Sequence, residues 1–203
     1  EFYQLQKLPR EHVIPAILEA EGAQLTAIGS RSIRKAKEIA EHFGAPQSYG
    51  SYEELLSSKE IDAVYIPSPT SSHVEWSSKA AQMGKHVLCE KPLALKAKDI
   101  DTLIEIEKRN NVFISEAFMV AYHPQWHCVK ELIQDGSIGS LRHIQGAFTY
   151  FNKDPNNMRN QPKLGGGGLP DIGVYPIVTT RLTTLKEPHS VVASIEYDKN
   201  FKT

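Results

Sequence analysis

Along the first half of the chain, short apolar runs that end in glycine, proline or serine alternate with segments whose apolar positions recur every three or four residues. Residues 24–28 (QLTAI) read as a strand closed by Gly29 and Ser30. Residues 32–43 then place Ile33, Ala36, Ile39, Ala40 and Phe43 on one helical face, and Gly44 supplies a stop. The same reading predicts helices over residues 12–21, 52–56, 73–83 and 97–109. It predicts strands over 63–66, 86–89 and 112–115. A strand that returns parallel to its neighbour needs a crossover, and the helices between these strands supply it. The fold class expected is therefore α/β, with a Rossmann-like parallel sheet covered by helices.

Beyond Glu116 the rhythm changes. A helix is expected over 125–135, a long strand over 141–151, a polar loop over 152–164, a helix over 172–185 and a strand over 190–197. Two domains follow from this change, residues 1–116 and 117–203, the second of α+β type.

Composition narrows the function classes. With 23 basic and 24 acidic residues the net charge is −1. That balance gives no electrostatic reason to expect nucleic acid or an acidic membrane surface as partner. No apolar run reaches the roughly 20 residues of a membrane span. Cys89 and Cys128, the two cysteines, fit free thiols in a reducing compartment better than a disulfide scaffold. A cytoplasmic protein is the expectation. His123 and His127 lie four apart, but Pro124 stands where a metalloprotease carries Glu, so no metal site is expected. Gly165 to Gly168 are not followed by Lys and Ser or Thr, which excludes a nucleotide phosphate loop there.

Ligands of a parallel α/β sheet bind at the carboxyl ends of its strands. The polar residues at those ends are Ser30 and Arg31, the run from Pro67 to His73, Glu90-Lys91-Pro92, and Glu116. Between Gly29 and Lys37 there is no Asp or Glu. Sites that hold a ribose 2′-hydroxyl usually carry an acid at this point, whereas Ser30, Arg31 and Lys35 suit a 2′-phosphate. The same residues also fit an ordinary solvated helix start.

The stretch 63–95, AVYIPSPTSSHVEWSSKAAQMGKHVLCEKPLAL, and the stretch 165–176, GGGGLPDIGVYP, carry a family likeness. The proline-rich turn before His73, the Glu90-Lys91-Pro92 triplet and the Asp171/Tyr175 pair resemble the glucose–fructose oxidoreductase/inositol dehydrogenase (Gfo/Idh/MocA) superfamily. Tyr175, where many members carry histidine, makes the pattern similar to the dihydrodiol dehydrogenase and NADP-linked xylose dehydrogenase group.

The resemblance implies an oxidoreductase moving a hydride between NADP(H), with NAD as the other possibility, and a sugar, polyol or diol. It implies Lys91 and Tyr175 as the catalytic pair. Asp171, one helical turn before Tyr175, would orient substrate or steady Lys91. Pro67, Ser68, Thr70, His73, Glu90 and Lys91 would border the nicotinamide half of the cofactor. Simpler roles remain open beside these: a solvated Lys91, a packing Tyr175, an N-cap at Asp171, and a packing His73 at a helix start. The resemblance also implies a cis Lys91–Pro92 bond, an antiparallel sheet in the second domain, and a homo-oligomer paired through residues 141–151, with Ile144, Gly146, Phe148 and Tyr150 on one side.

The sequence departs from the family in two respects, at its start and after the single strand expected beyond the Asp171 helix, where the family's substrate domain has a larger antiparallel sheet. Members open with a strand and a glycine-rich turn that lets backbone N–H groups approach the pyrophosphate, and here no glycine precedes Gly22. The first domain thus reads as N-terminally incomplete and the second as C-terminally incomplete. Lys7 and Arg10 supply charge ahead of the first helix but no backbone cradle, and Pro9 removes one donor. Very weak NADP binding and no turnover are expected if residues 1–10 stand in for that turn. A truncated relative that binds cofactor or oligomerises without catalysis is the competing expectation.

Overall fold

The computed structural model describes residues 8–203. The expectation attached to Lys7 lies outside them. The chain divides into two compact units, Glu1–Glu116 and Ala117–Thr203.

In the first unit, wide helical turns over Pro9–Val13 run into α1, Ile14–Glu19. The helix expected at residue 12 thus begins earlier, because proline at the first helical position lacks only an N–H that would be unpaired there. Strand β1, Ala27–Gly29, pairs in parallel with β2, Gln47–Tyr49, with Ala27 opposite Gln47. Between them α2, Ile33–Phe43, is capped by Ser32, whose Oγ accepts from Lys35 N–H, and ends on Gly44 at φ 72°. Helix α3, Tyr52–Ser57, is capped in the same way by Ser51.

A second sheet has the order β3–β4–β5: Ala63–Ile66, His86–Glu90 and Ile114–Ala117. Strands β3 and β4 run parallel, with Ala63 opposite His86 and Ile66 opposite Cys89. Helices α4, His73–Gln82, and α5, Ala97–Asn110, supply the crossovers and pack on each other. The core cluster is Leu56, Ile66, Ala80, Val87 and Cys89, with Leu55, Trp76, Leu93 and Ile114 against it. Full burial of each large aliphatic side chain is worth about 1.5–3 kcal/mol. Buried Lys85 spans the end of α3 and the approach to β3, its Nζ donating to Ser58 O at 2.6 Å and Ile61 O at 2.7 Å.

In the second unit α6, Pro124–Gln134, packs against α7, Val174–Thr184. Wide turns over Leu169–Gly173 lead into α7. The strands expected over 141–151 and 190–197 are not formed. Both segments are largely exposed, with Phe151 at 83 % and Val192 at 98 %. A strand is defined by its ladder partners, and among the described residues of this unit neither segment has one. The antiparallel sheet expected there is therefore absent from this unit. Among the described residues no helix is long and apolar enough to cross a membrane, and no three metal-ligating side chains converge.

Candidate functional site

The first unit assembles a group of candidate residues at the carboxyl ends of β3, β4 and β5. Strand β4 ends on Glu90, and the turn that follows carries Lys91 and a cis Lys91–Pro92 bond, as the family likeness implied. Three separate elements hold this turn. From β3, Tyr65 OH donates to Glu90 Oε1 at 2.7 Å. From the start of α4, His73 Nδ1 lies 2.8 Å from Pro92 O. From the end of β5, Glu116 Oε1 accepts from Leu93 N–H at 2.7 Å. Lys91 N–H donates to Glu90 Oε2 at 3.3 Å, and the lysine itself is half-buried.

The proline-rich loop after β3 joins the same group. His73, 1 % exposed, places Nε2 2.8 Å from Ser68 O. Ser72 Oγ lies 2.9 Å from Ser68 Oγ and 2.8 Å from Pro69 O. Thr70 is buried under the loop and opens a tight turn, Thr70–Ser72, that delivers the chain into α4. Pro67, Ser68, Thr70, His73, Glu90 and Lys91 are thus brought together. His73 is buried at the start of α4 and reaches from the loop to the lysine-bearing turn.

Burial, then the Glu90 carboxylate, drive the Tyr65 phenol far above its ordinary pKa. It therefore stays a donor to Glu90 across the working range of pH. Tyr65 carried no separate signal in the sequence beyond an aromatic in a strand. The position of Glu116 at a strand end was legible, but its grip on the Leu93 amide was not.

At the carboxyl end of β1, Ser30 N–H donates to Tyr49 O at 3.1 Å, and Ser30 Oγ accepts from Ser32 N–H at 3.3 Å. Arg31 and Lys35 are exposed around the start of α2. A helix N-terminus flanked by cations and free of carboxylates fits a phosphate. A Cβ on Gly29 would come within 2.8 Å of Leu55 Cδ1, so glycine lets the strand end pass close to α3. The side chains at this end and the loop at β3 fit a nicotinamide dinucleotide carrying a 2′-phosphate. The described residues ahead of α1 contain no glycine turn.

The second unit holds Asp171 and Tyr175. Asp171 is not an N-cap. It sits inside the turns that precede α7, and the cap position there is Gly168. Its Oδ2 accepts from Arg159 Nε at 2.7 Å and from Tyr150 OH at 2.8 Å. Burial and the hydrogen bond to Asp171 push the Tyr150 phenol up to about 12. Nothing in the polar loop pattern signalled Arg159 or Tyr150 as partners. The glycine run makes the contact possible: a Cβ on Gly166 would lie 2.3 Å from Met158 O and 2.6 Å from Arg159 O. Tyr175 packs its ring against Phe118 at 5.3 Å and Phe148 at 5.0 Å.

Residues 7–118 match the model of an oxidoreductase family with an NAD-binding Rossmann fold, GFO/IDH/MocA, and residues 126–202 match the GFO/IDH/MocA C-terminal domain. This chain belongs to the GFO/IDH/MocA family. Among its relatives is an uncharacterized oxidoreductase, ORF334, of Rhizobium meliloti. It is 47% identical over 191 residues, covering 94% of this chain and 57% of the relative. The trans-1,2-dihydrobenzene-1,2-diol dehydrogenase of Xenopus tropicalis is 34% identical over 190 residues, covering 92% of this chain and 57% of its own length. Among solved structures, the 3-ketoreductase KijD10 of Actinomadura kijaniata, in complex with NADP and TDP-benzene, superposes with a TM-score of 0.84 at 35% identity. That match covers 88% of this chain and 55% of KijD10. The chain spans little more than half the length of these relatives.

Proposed function

We propose that the protein is an NADP-linked oxidoreductase that moves a hydride between the cofactor and a hydroxyl or carbonyl of a sugar, polyol or diol. The observation that carries the reading is the threefold anchoring of the Glu90-Lys91-Pro92 turn. The Glu90 carboxylate, the Pro92 carbonyl and the Leu93 amide on either side of Lys91 are held by Tyr65, His73 and Glu116, so the turn that carries the lysine is preorganised, and preorganisation is what proton transfer at a reacting oxygen requires. The NADP-bound KijD10 structure and the dihydrodiol dehydrogenase support the cofactor and the substrate class.

In the oxidative direction the carbinol C–H bond breaks and its electron pair leaves as hydride, while the O–H proton passes to a protein base and the carbon–oxygen bond becomes a carbonyl. The bound nicotinamide supplies the hydride acceptor. Lys91 is assigned to the proton at the reacting oxygen. Tyr175 is assigned to the substrate hydroxyl from the second unit. Asp171, held by Arg159 and Tyr150, positions the start of the helix that carries Tyr175. Ser30, Arg31 and Lys35 would take the 2′-phosphate, and Pro67, Ser68, Thr70 and His73 would border the nicotinamide. A cytoplasmic location is part of the proposal and is supported by two cysteines, Cys89 and Cys128, that are both free thiols.

We also infer self-association through the second unit. Residues 141–151 leave Ile144, Phe148 and Tyr150 exposed beside backbone groups without ladder partners, a combination that favours pairing. Light scattering at rising concentration tests this, and a monomer throughout contradicts it. The functional reading is tested by fluorescence titration with NADP and NAD, followed by a panel of aldoses and cyclic diols. Tighter NADP binding with turnover of a panel member supports it, and no binding of either cofactor contradicts it.

A further inference from the structure

We propose that His86 is an acid-sensitive clasp at the start of strand β5. Neutral, its imidazole holds the opening amide of that strand, and protonated it releases it. The inference goes beyond the proposed function and does not depend on it.

Among the described residues β5 lies at the edge of its sheet. Its first rung is made only in part by backbone. Val87 N–H donates to Phe113 O at 2.7 Å, but Phe113 N–H donates to His86 Nδ1 at 2.9 Å. The next amide, Ile114 N–H, donates to Glu107 Oε1 of α5 at 3.4 Å. Both amides that open the strand thus end on titratable side chains. The His86 ring stacks on the Phe113 ring, with centroids 5.5 Å apart and planes at 26°, which keeps the imidazole beside the amide it serves. Phe113 itself is 74 % exposed, so burial does little to hold this end of the strand and the hydrogen bonds matter more. The far end of β5 carries Glu116, whose Oε1 takes Leu93 N–H beside the lysine turn, so the clasp sits on an element that reaches the candidate site.

A ring nitrogen that accepts carries no proton, so the neutral imidazole of His86 has its proton on Nε2. Protonation puts an N–H on both nitrogens. Nδ1–H then faces Phe113 N–H, donor against donor, and the amide loses its acceptor. Glu107 titrates as well, but a protonated carboxyl keeps a carbonyl oxygen that accepts, whereas an imidazolium keeps no acceptor. His86 therefore sets the response. The charged groups around it are engaged elsewhere or exposed. Lys85, the residue before it, donates Nζ to Ser58 O and Ile61 O. Asp62, which leads into β3, gives its carbonyl oxygen to His86 N–H at 2.9 Å. On α4, Glu75 and Lys79 pair with each other at 2.6 Å. On α5, Lys108 and Arg109 are exposed in the last turn. Among the described residues none of these groups hydrogen-bonds the imidazole ring.

The test is amide hydrogen exchange of the whole chain, read by nuclear magnetic resonance at about pH 7.5 and about pH 5, the interval in which an imidazole changes charge. Rates are corrected for the intrinsic dependence of exchange on pH. Protection of the Phe113 amide is expected to fall roughly tenfold at the lower pH, the worth of one hydrogen bond. Ile66 in β3, which reports the sheet as a whole, is expected to change by less than about twofold. Nitrogen shifts of the imidazole are expected to place the proton on Nε2 at the higher pH. In His86→Asn the side-chain oxygen stands at the same distance along the side chain as Nδ1, accepts, and does not titrate. Phe113 in that variant is expected to stay protected at both pH values. Equal Phe113 protection at both pH values in the parent, an equal fall at Ile66, a proton on Nδ1, or His86→Asn keeping the parent's pH dependence overturns the proposal. The exchange and the tautomer of the parent decide it even where the variant folds poorly.

Discussion

His73 places Nδ1 2.8 Å from the carbonyl oxygen of Pro92, nineteen residues away in sequence, while Nε2 of the same ring lies 2.8 Å from Ser68 O. One buried imidazole therefore braces the loop after β3 against the turn that carries Lys91. A neutral imidazole has one N–H and donates to one of these carbonyls at a time.

His73→Ala should lower stability by about 1–3 kcal/mol, because a buried carbonyl loses its donor. Urea unfolding measures this. The same variant should lose kcat by a larger factor than KM changes, since it loosens Lys91 and leaves the substrate surface intact. Stability and kcat both matching the parent would remove the brace from the account.

Gly166→Ala should destabilise the second unit by about 1–3 kcal/mol, the usual range for overpacking. The added Cβ would meet two backbone oxygens, Met158 O at 2.3 Å and Arg159 O at 2.6 Å, which cannot swing aside as a side chain would. Gly168→Ala, with nothing within 4 Å, should stay within about 0.5 kcal/mol of the parent. Thermal melts of the two variants side by side decide the matter, and equal loss in both would contradict it.

Much of the first unit was legible because apolar period and stop signals agreed there: Ala63–Ile66 is found where the pattern put it, and Gly44 and Gly84 end their helices at positive φ. Strand β2 escaped notice because Gln47, Ser48 and Tyr49 are polar and only three residues long. In the second unit the alternation of residues 141–151 signalled a strand, but alternation reports only which faces could be buried and says nothing of whether a partner strand is present. The ends of the candidate site were legible as strand ends. Their anchors, Tyr65 on Glu90 and Arg159 on Asp171, depend on side chains 25 and 12 residues apart and leave no local pattern.

Burial raises the Cys89 thiol from 9.0 to about 12, whereas Cys128 is exposed. A thiol-reactive disulfide reagent at mildly alkaline pH should therefore modify one cysteine in the native protein and two in denaturant. The raised folded-state value means the native protein holds this proton more tightly than the unfolded chain. Its contribution is intact below pH 9.0 and is lost as pH climbs towards about 12. Two thiols reacting at equal rates in the native state would contradict this burial.

Arg31→Ala should weaken NADP by roughly tenfold to a hundredfold, the worth of a charge-assisted hydrogen bond, and leave NAD within roughly twofold. Fluorescence titration with both cofactors reads the difference. Equal weakening would show that Arg31 does not distinguish the 2′-phosphate.

The most direct test of the account is the rate of NADP reduction, followed by the absorbance of the reduced nicotinamide, for the protein and its Lys91→Met variant on the same cyclic diol or aldose. Methionine keeps the length and the apolar stem and removes the proton-transfer group. The account predicts kcat lower by about 100- to 10,000-fold with NADP affinity within roughly threefold of the parent. A Lys91→Met protein that turns over at the parent rate would contradict it.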